Sequence, residues 1–288
     1  MAGKIKKITI VGSGIMGRGI ACAALTGGFS VTLNDLNAGL LELARVFILE
    51  TLQKGLQKGL LTPADMAAAA ERLNLSEHLG AAVENADLVI EAASEDLALK
   101  LKLFQALDRM CLPGAILSTN TSSLSITEMA AVTGRPGQVV GMHFFNPVPK
   151  MKLVEIVRGL KTSEETIRAV AETAGQMGKE TVVVSDFPGF ATSRLNVLIG
   201  NEAFYMLMEG LASAEDIDKA AKLGLNHPMG PLEMGDLVGL DTRLKVLEHL
   251  HRTLGERFRP CPLMVKYVQA GLLGRKTGEG VYKYENVK

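Results

Sequence analysis

Apolar residues follow two different periods along the first two thirds of the chain. Short β-branched runs, at residues 8–11, 31–33, 88–90 and 182–184, alternate with longer segments of helical periodicity. Strands that alternate with helices are typical of a parallel sheet with helices packed on its faces. The pattern therefore predicts an α/β domain.

The pattern changes at "SDFPGF", residues 185–190, a cluster of turn-forming residues. Beyond it, spaced leucine, methionine and alanine predict helices over residues 190–209, 214–223, 242–254 and 263–270. The breakers between them are Gly210, Pro228, Pro231 and Pro260. Only the short run "GVYKY" near the end reads as a further strand. We therefore predict an α/β domain over residues 1–187 and an all-α domain over residues 188–288.

Composition gives no reason to expect a nucleic acid or a membrane as partner. Lysine plus arginine and aspartate plus glutamate both total 31 in the 288 residues, and neither sign forms a long block. No apolar run is long enough to span a bilayer. A role with small molecules fits this balance.

The three cysteines, Cys22, Cys111 and Cys261, lie far apart and without CxxC spacing. This argues against a disulfide framework and against a zinc site, and it favours a reducing compartment. The start "MAGKIKKITIVGSG" leads from basic residues into a short strand and a glycine loop, without the apolar core of a signal peptide. We expect a cytoplasmic protein with no bound metal.

The first chemical motif is "ITIVGSGIMGRGI", in which a strand leads into Gly12, Gly14 and Gly17 and a helix follows. The first glycine permits a tight turn, the second lets a pyrophosphate approach the backbone, and the third lets the helix pack on the strand. Ile15 and Met16 lie between the glycines, where the helix N-terminus faces the anion. The motif predicts a dinucleotide site.

Asp35 follows the second strand, 23 residues beyond Gly12. An acid at this place accepts hydrogen bonds from both ribose hydroxyls and repels a 2′-phosphate, so it favours NAD over NADP. The alternative is a glycine turn with a surface aspartate.

Polar residues follow two further predicted strands. Glu95 and Lys100 come after the strand in "ADLVIEAASEDLALK", and "AILSTNTSSL" ends in Asn120, Thr121 and Ser122. Open α/β sheets bind ligands at the carboxyl ends of their strands, which makes these residues candidates for a ligand rim. Helix capping and turn formation explain the same residue types equally well.

The stretch "GMHFFNPVPKMKLVEIV" contains one of only five histidines. Its prolines must turn the chain between two strands, and the midpoint between His143 and Glu155 falls on Pro149. In an antiparallel pair the two residues would lie opposite each other and point to the same face. A carboxylate on one imidazole nitrogen fixes the tautomer and leaves the other to act as a base, as a dehydrogenase requires. A structural histidine that is bonded to a glutamate is the alternative.

Together with "DFPGF", "GLNHPMGPLEMGDLVGLD" and "GRKTGEGVYKY", these motifs resemble the NAD-dependent 3-hydroxyacyl-CoA dehydrogenases, most closely the single-function 3-hydroxybutyryl-CoA type. The resemblance runs over essentially the whole chain. It implies a Rossmann-like NAD domain, an all-helical domain that forms a homodimer, and a place in fatty acid metabolism. It also implies the oxidation of (S)-3-hydroxyacyl-CoA to 3-oxoacyl-CoA with NAD.

The resemblance also implies roles for individual residues. His143 corresponds to the family's base, Glu155 to its orienting carboxylate, and Ser122 to a hydrogen-bond donor to the substrate oxygen and the cofactor. Positions that touch NAD in the family correspond to Glu95, Lys100, Asn120, Asn146 and Lys276. The helix that contacts CoA corresponds to the region of Thr51 and Lys58, and Lys54 shares a helix face with Lys58 at i, i+4 spacing.

One position departs from the family. In "PGFATSRLN", Ser193 stands where the family usually has an asparagine whose amide helps to bind the substrate carbonyl. Serine still donates one hydrogen bond but reaches less far, so carbonyl polarisation is expected to be weaker or to be assisted by water. Asn196, one helical turn later, is a candidate to compensate.

Two other classes of protein remain alternatives. A related β-hydroxyacid dehydrogenase shares the glycine loop but typically relies on a lysine in its helical part, and the "HFFNP" stretch argues against it. A non-enzymatic NAD(H)-binding protein, like the lens crystallins that resemble this family, shares the fold, since a fold does not establish turnover.

Overall fold

The computed structural model describes residues 5–285, and the chain divides into two compact units after Phe187. Each unit has its own hydrophobic core. The first unit contains the sheet, and the second contains helices. The predicted fold class, an α/β domain followed by an all-helical domain, is confirmed.

The first unit is built on one eight-stranded sheet with the strand order β3-β2-β1-β4-β5-β6-β7-β8. The strands are β1 (Lys7–Val11), β2 (Ser30–Asn34), β3 (Leu73–Ser76), β4 (Leu88–Glu91), β5 (Ile116–Thr119), β6 (Val139–Phe144), β7 (Leu153–Arg158) and β8 (Glu180–Ser185). All neighbouring strands run parallel except β6 and β7, which are antiparallel. The order reverses beside β1, and this places the carboxyl ends of β1 and β4 next to each other.

The sequence pattern missed β3. Its four residues, "LNLS", are only partly buried, and the strand lies at the end of the sheet. An edge strand that is half apolar and half polar carries little of the signal that marks buried parallel strands.

In the described part of the first unit, from residue 5 onward, seven α-helices accompany the sheet: α1 (Ile15–Thr26), α2 (Ala38–Gln57), α3 (Pro63–Glu71), α4 (Leu79–Val83), α5 (Leu97–Met110), α6 (Ile126–Ala131) and α7 (Glu164–Gln176). Side chains of Asn37, Thr62, Asp96 and Ser163 accept hydrogen bonds from main-chain N–H groups in the first turns of α2, α3, α5 and α7. Such N-caps satisfy donors that have no partner within the helix. They therefore fix where these helices begin.

The core of the first unit lies between the sheet and its helices. Ile8, Ile10, Leu33, Leu88 and Ile90 on the central strands are at most 1% exposed. Burying a side chain of this size contributes roughly 1.5–3 kcal/mol. The central strands are therefore a firm base for the loops at their carboxyl ends.

Up to residue 285, the second unit contains five α-helices: α8 (Thr192–Met208), α9 (Ala214–Gly224), α10 (Pro231–Val238), α11 (Leu240–Leu254) and α12 (Pro262–Gln269). Helix α8 packs against α9, α10 and α12, and α11 packs against α12. Fully buried residues such as Leu232, Leu247, Leu250 and Phe258 form the core. Among residues 5–285, no helix is both long and apolar enough to cross a membrane.

Two predictions for the second unit were wrong. Pro231 is not a breaker between helices but the first residue of α10, a position where the missing N–H and the fixed φ of proline suit a helix. The run "GVYKY" forms no strand, because residue Lys283 makes only an isolated bridge to Glu279. Asp236 instead holds this segment by accepting hydrogen bonds from the main-chain N–H groups of Val281 and Tyr282.

Candidate active site

The glycine loop joins β1 to α1 and lies close against the loop after β4. Gly12 has φ +103°, and a Cβ at this position would lie 2.6 Å from the carbonyl oxygen of Ala92. A Cβ at Gly17 would lie 1.8 Å from the carbonyl oxygen of Gly12, so the helix can approach the turn only without a side chain. A Cβ at Gly14 would meet nothing within 4 Å, so the backbone there is open to a ligand. These residues fit the pyrophosphate of a dinucleotide.

Asp35 follows β2 directly and is bonded to the same loop. Its Oδ2 accepts hydrogen bonds from the main-chain N–H of Ser13 at 2.9 Å and from the Ser13 hydroxyl at 2.7 Å. Burial raises the pKa of the Asp35 carboxyl, but the hydrogen bonds from Ser13 and from the main-chain N–H groups of Asn37 and Leu36 together outweigh this and hold the pKa below its ordinary value. Asp35 therefore stays ionised beside the dinucleotide loop. The role of Ser13 was not predicted.

His143 and Glu155 form a buried pair on β6 and β7. The two residues are direct partners in the antiparallel register, as predicted. The distance between His143 Nδ1 and Glu155 Oε2 is 2.7 Å, and Glu155 is 0% exposed. The imidazole also lies beside the Phe145 ring, with 4.4 Å between the ring centroids. Two strands and one aromatic ring thus fix the orientation of the imidazole.

The residues after β5 form a rim that is bonded to both neighbouring strands. Asn120 Oδ1 accepts a hydrogen bond from the main-chain N–H of Phe144 at 2.9 Å. Glu95 Oε1 accepts hydrogen bonds from the main-chain N–H of Ser122 at 3.1 Å and from the hydroxyl of Thr121. These hydrogen bonds therefore determine the shape of the rim. Glu95 and Asn120, which accept them, were both predicted from the sequence.

Lys100 is not an accessible cation. Its side chain is 1% exposed, and Nζ lies 2.6 Å and 2.8 Å from the two carboxylate oxygens of Glu91, which is fully buried. Glu91 also accepts hydrogen bonds from the Thr119 hydroxyl and the main-chain N–H of Ala93. Sequence reasoning missed Glu91, although a charged residue that ends the apolar run "LVIE" was a usable signal.

Seven predicted residues line one cavity of about 380 Å³ in the first unit. They are Met16, Glu95, Lys100, Asn120, Ser122, His143 and Asn146. The remaining lining residues, Ala92, Ala93, Phe144 and Phe145, are apolar. A site of this kind, apolar with a few convergent polar groups beside a dinucleotide loop, suits a small reacting group and a proton-transfer residue.

A second cavity of about 650 Å³ lies between α1, α2 and the turn after β6. Thr51, Lys54 and Lys58 line it, together with Lys150 and Lys179. No described acidic residue lines it, so its walls carry positive charge only. Lysine ammonium groups are suitable partners for phosphates.

Lys54 and Lys58 lie one helical turn apart at the end of α2. The helix ends at Gln57 and Lys58 caps it, and the main-chain N–H of Lys58 donates to the carbonyl oxygen of Lys54 at 3.2 Å. Both side chains line the second cavity.

The other two predicted site residues belong to the second unit. Ser193 lies in the first turn of α8. Lys276 forms a salt bridge with Asp241. Burial raises the pKa of this carboxyl, but the hydrogen bond and charge of Lys276 and the main-chain hydrogen bonds together outweigh burial and hold the pKa below its ordinary value. Within residues 5–285, no cluster of three or more histidine, cysteine or acidic side chains is arranged to hold a metal ion.

Comparison with protein families gives two matches that together cover nearly the whole chain. The family model "3-hydroxyacyl-CoA dehydrogenase, NAD binding domain" matches residues 7–187. The family model "3-hydroxyacyl-CoA dehydrogenase, C-terminal domain" matches residues 189–284.

Individual proteins are similar over their full length. "Probable 3-hydroxybutyryl-CoA dehydrogenase" of Bacillus subtilis is 50% identical over 283 residues, which cover 98% of both chains. "3-hydroxybutyryl-CoA dehydrogenase" of Bradyrhizobium diazoefficiens is 45% identical, and the match covers 100% of this chain and 98% of that protein. The crystal structure of (S)-3-hydroxybutyryl-CoA dehydrogenase from Ralstonia eutropha matches with a TM-score of 0.95 and 44% identity, over 98% of this chain and 100% of that one.

Proposed function

The chain belongs to the 3-hydroxyacyl-CoA dehydrogenase family, and from this premise we propose that it interconverts (S)-3-hydroxybutyryl-CoA and acetoacetyl-CoA, with His143 as the base. The family, the NAD cofactor and the dehydrogenase activity predicted from the sequence are confirmed by these matches. The chain length of the substrate and the role of each site residue are our proposal.

One observation supports the proposal most directly. His143 lines the same cavity as Met16 of the glycine loop and carries a buried carboxylate on Nδ1. A dehydrogenase needs a proton acceptor close to the hydride acceptor, because the hydroxyl proton and the hydride leave adjacent atoms. The His143 and Glu155 pair beside the dinucleotide loop meets this need.

His143, Glu155 and Ser122 each have a separate role in the proposed reaction. Glu155 accepts the Nδ1–H of neutral His143, so that Nε2 carries the lone pair that takes the hydroxyl proton. Glu155 then stabilises the imidazolium that forms, and in the reverse direction His143 returns the proton to the carbonyl oxygen. Ser122, on the rim held by Glu95, donates a hydrogen bond to the same oxygen.

NAD, when bound, accepts a hydride from the carbon that bears the hydroxyl group. Gly12, Gly14 and Gly17 supply a backbone that the pyrophosphate can approach, with Ile15 and Met16 in the first turn of α1. Asp35 binds the ribose hydroxyls and disfavours a 2′-phosphate. Lys100 acts through Glu95 and Glu91, to which its ammonium is bonded, while Glu95, Asn120, Asn146 and Lys276 complete the proposed set of cofactor contacts.

We assign the second cavity to the CoA part of the substrate. Lys54 and Lys58 lie on a wall without acidic residues, where the phosphates of CoA add favourable charge. Thr51 lines the same cavity, and its hydroxyl is bonded to the carbonyl oxygen of Phe47. In the second unit, Ser193 is the proposed donor to the substrate carbonyl.

We further propose that the two units, residues 1–187 and 188–288, are an NAD-binding domain and a domain for substrate binding and dimerisation. Exposed apolar side chains on α8, α9 and α10 support a homodimer: Leu195, Ile199, Leu223 and Leu237, with Leu225 directly after α9, are between 41% and 78% exposed. These three helices pack together, so the residues belong to one helical assembly. Sedimentation of the purified protein as a monomer at micromolar concentration would refute the dimer.

A cytoplasmic location is also part of the proposal. The three cysteines are buried free thiols, as is usual in a reducing compartment.

The test is the consumption of NADH by the purified protein with acetoacetyl-CoA, beside a longer 3-oxoacyl-CoA, free acetoacetate and NADPH. We expect rapid turnover that requires both NADH and the CoA ester. Equal rates with free acetoacetate would indicate a related β-hydroxyacid dehydrogenase. Binding of NADH without turnover of any substrate would indicate a non-enzymatic protein.

A further inference from the structure

We propose that Lys179 is a positioning residue for the reaction, whose ammonium group fixes the turn over residues 146–151 that lies between the two cavities. The inference rests on the proposed function, because it concerns the alignment of the acyl-CoA site with His143. It assigns a role to a lysine that neither the motifs nor the proposed mechanism uses.

The contacts of Lys179 are directed at the turn. Lys179 lies just before β8 and is 9% exposed. Its Nζ donates hydrogen bonds to the carbonyl oxygens of Val148 at 2.6 Å and Met151 at 2.9 Å. Inside the turn, the main-chain N–H groups of Lys150 and Met151 both donate to the carbonyl oxygen of Pro147. The main-chain hydrogen bonds within the turn restrain it only in part. The two hydrogen bonds from Lys179 restrain it further from outside.

The electrostatics argue against a merely space-filling role. The ammonium group of Lys179 donates its hydrogen bonds to two uncharged main-chain carbonyls. Burial lowers the pKa of its ammonium group. An apolar side chain would fill the same volume without the desolvation cost of a cation. The presence of a cation here is therefore explained by its hydrogen bonds, which hold the two carbonyl groups of the turn in place.

The turn is a wall of both cavities. Phe145 and Asn146 line the cavity of His143, whereas Pro147, Pro149 and Lys150 line the lysine-rich one. A displacement of this turn therefore changes the CoA site and the catalytic cavity together.

The opposite side of the turn is also fixed. Val148 is 2% exposed, and a Cβ at Gly19 on α1 would lie only 3.0 Å from its side chain. The turn is thus held between the dinucleotide helix and the ammonium group of Lys179.

The experiment compares Lys179→Met with Lys179→Arg and with Lys161→Met, an exposed lysine of the same unit that lines neither cavity. For Lys179→Met we expect amide hydrogen exchange over residues 144–152 to become at least tenfold faster, with the rest of the unit unchanged. We also expect KM for acetoacetyl-CoA to rise about tenfold, while Kd for NADH changes less than threefold. Lys179→Arg keeps the charge and has N–H donors for both carbonyls, so it should retain most of both properties, and Lys161→Met should match wild type.

A loss of folded protein would lower kcat and leave KM unchanged, so the rise in KM separates positioning from stability. Unchanged exchange of the turn, or an unchanged KM, in folded Lys179→Met would overturn the proposal. If this variant does not fold, Lys179→Gln decides by the same two measurements, because its amide has two N–H donors but no charge and its side chain is one bond shorter. The exchange measurement requires no turnover and therefore tests the role of Lys179 by itself. If the proposed function is wrong, the wild-type protein will not reduce acetoacetyl-CoA, and this result is distinct from the exchange result.

Discussion

His143 and Glu155 face each other across the single antiparallel pair of the sheet, with 2.7 Å between Nδ1 and Oε2. Because the main-chain ladder of β6 and β7 sets this register, the geometry of the pair does not depend on a loop. The imidazole also lines the first cavity, together with the rim residues Asn120 and Ser122. A proton acceptor held by two strands keeps its orientation while smaller loops adapt to ligands.

Replacement of the histidine tests its role as base. We expect His143→Ala to lower kcat by roughly 10²–10⁴-fold, because the imidazole acts on the proton in the transition state. The affinity for NADH, measured by fluorescence titration, should stay within about twofold of wild type, since the glycine loop and Asp35 are untouched. An equal loss of NADH affinity and turnover would show that His143 is structural.

The preference for NADH is expected to depend on the Asp35 carboxylate. We expect Asp35→Ala to raise the efficiency with NADPH relative to NADH by about tenfold or more, because it removes a like charge beside the 2′-phosphate. The measurement is the ratio of kcat/KM for the two cofactors. A wild-type enzyme that already used both equally would refute this role of Asp35.

The lysines of the second cavity are expected to contribute to CoA affinity. Lys58→Met should raise KM for acetoacetyl-CoA by about tenfold with little change in kcat, because a charged hydrogen bond to a phosphate is lost. The dependence of KM on salt should also weaken. Lys102→Met, at an exposed position of α5 outside both cavities, is the control and should behave as wild type.

Ser193 is the position where restoration of the family residue is informative. We expect Ser193→Asn to raise kcat/KM for acetoacetyl-CoA by roughly tenfold, because the longer amide brings a donor closer to the carbonyl oxygen. The affinity for NADH serves as the control and should not change. A slower Ser193→Asn enzyme would mean that serine, with or without a water molecule, is the better donor in this chain.

Much of the site was predictable because its chemistry lies at the ends of strongly apolar strands. The strand before Gly12, the acid after β2 and the opposition of His143 to Glu155 all follow from strand periodicity and one turn. Each of these signals is local in the sequence. The rules of strand periodicity and turn formation are therefore enough to predict where these residues lie.

Residues that act through distant contacts were not predictable in the same way. Glu91 and Lys179 are bonded to partners 9 to 31 residues away, and neither belongs to a motif. The helix that begins at Pro231 was missed because proline carries opposite meanings at the start and in the middle of a helix. Tertiary contacts determine the roles of such residues, and the periodicity of the sequence contains no information about these contacts.

Asp108 stabilises the first unit through its charge, and this gives a prediction of pH dependence. Its carboxylate accepts hydrogen bonds from the main-chain N–H of Gly134 at 2.7 Å and from Arg135 Nε at 2.8 Å. Burial raises the pKa of Asp108, but these two hydrogen bonds and the charges of Arg135 and Arg109 together outweigh it and hold the pKa below its ordinary value. We expect Asp108→Asn to lower the free energy of unfolding by about 1–3 kcal/mol at neutral pH, because an amide N–H then faces a donor.

The sign of the pH effect follows from the lowered pKa. The stabilisation is fully present above the pKa of aspartate in the unfolded chain, about 3.9, and is lost as the pH falls through the lower folded-state value. In urea titrations the difference between wild type and Asp108→Asn should therefore be constant from neutral pH to about pH 5 and shrink below that. Glu172→Gln, at an exposed position of α7, should show no comparable difference at any pH. A difference that stayed constant down to the acid limit would mean that Asp108 stabilises by shape and not by charge.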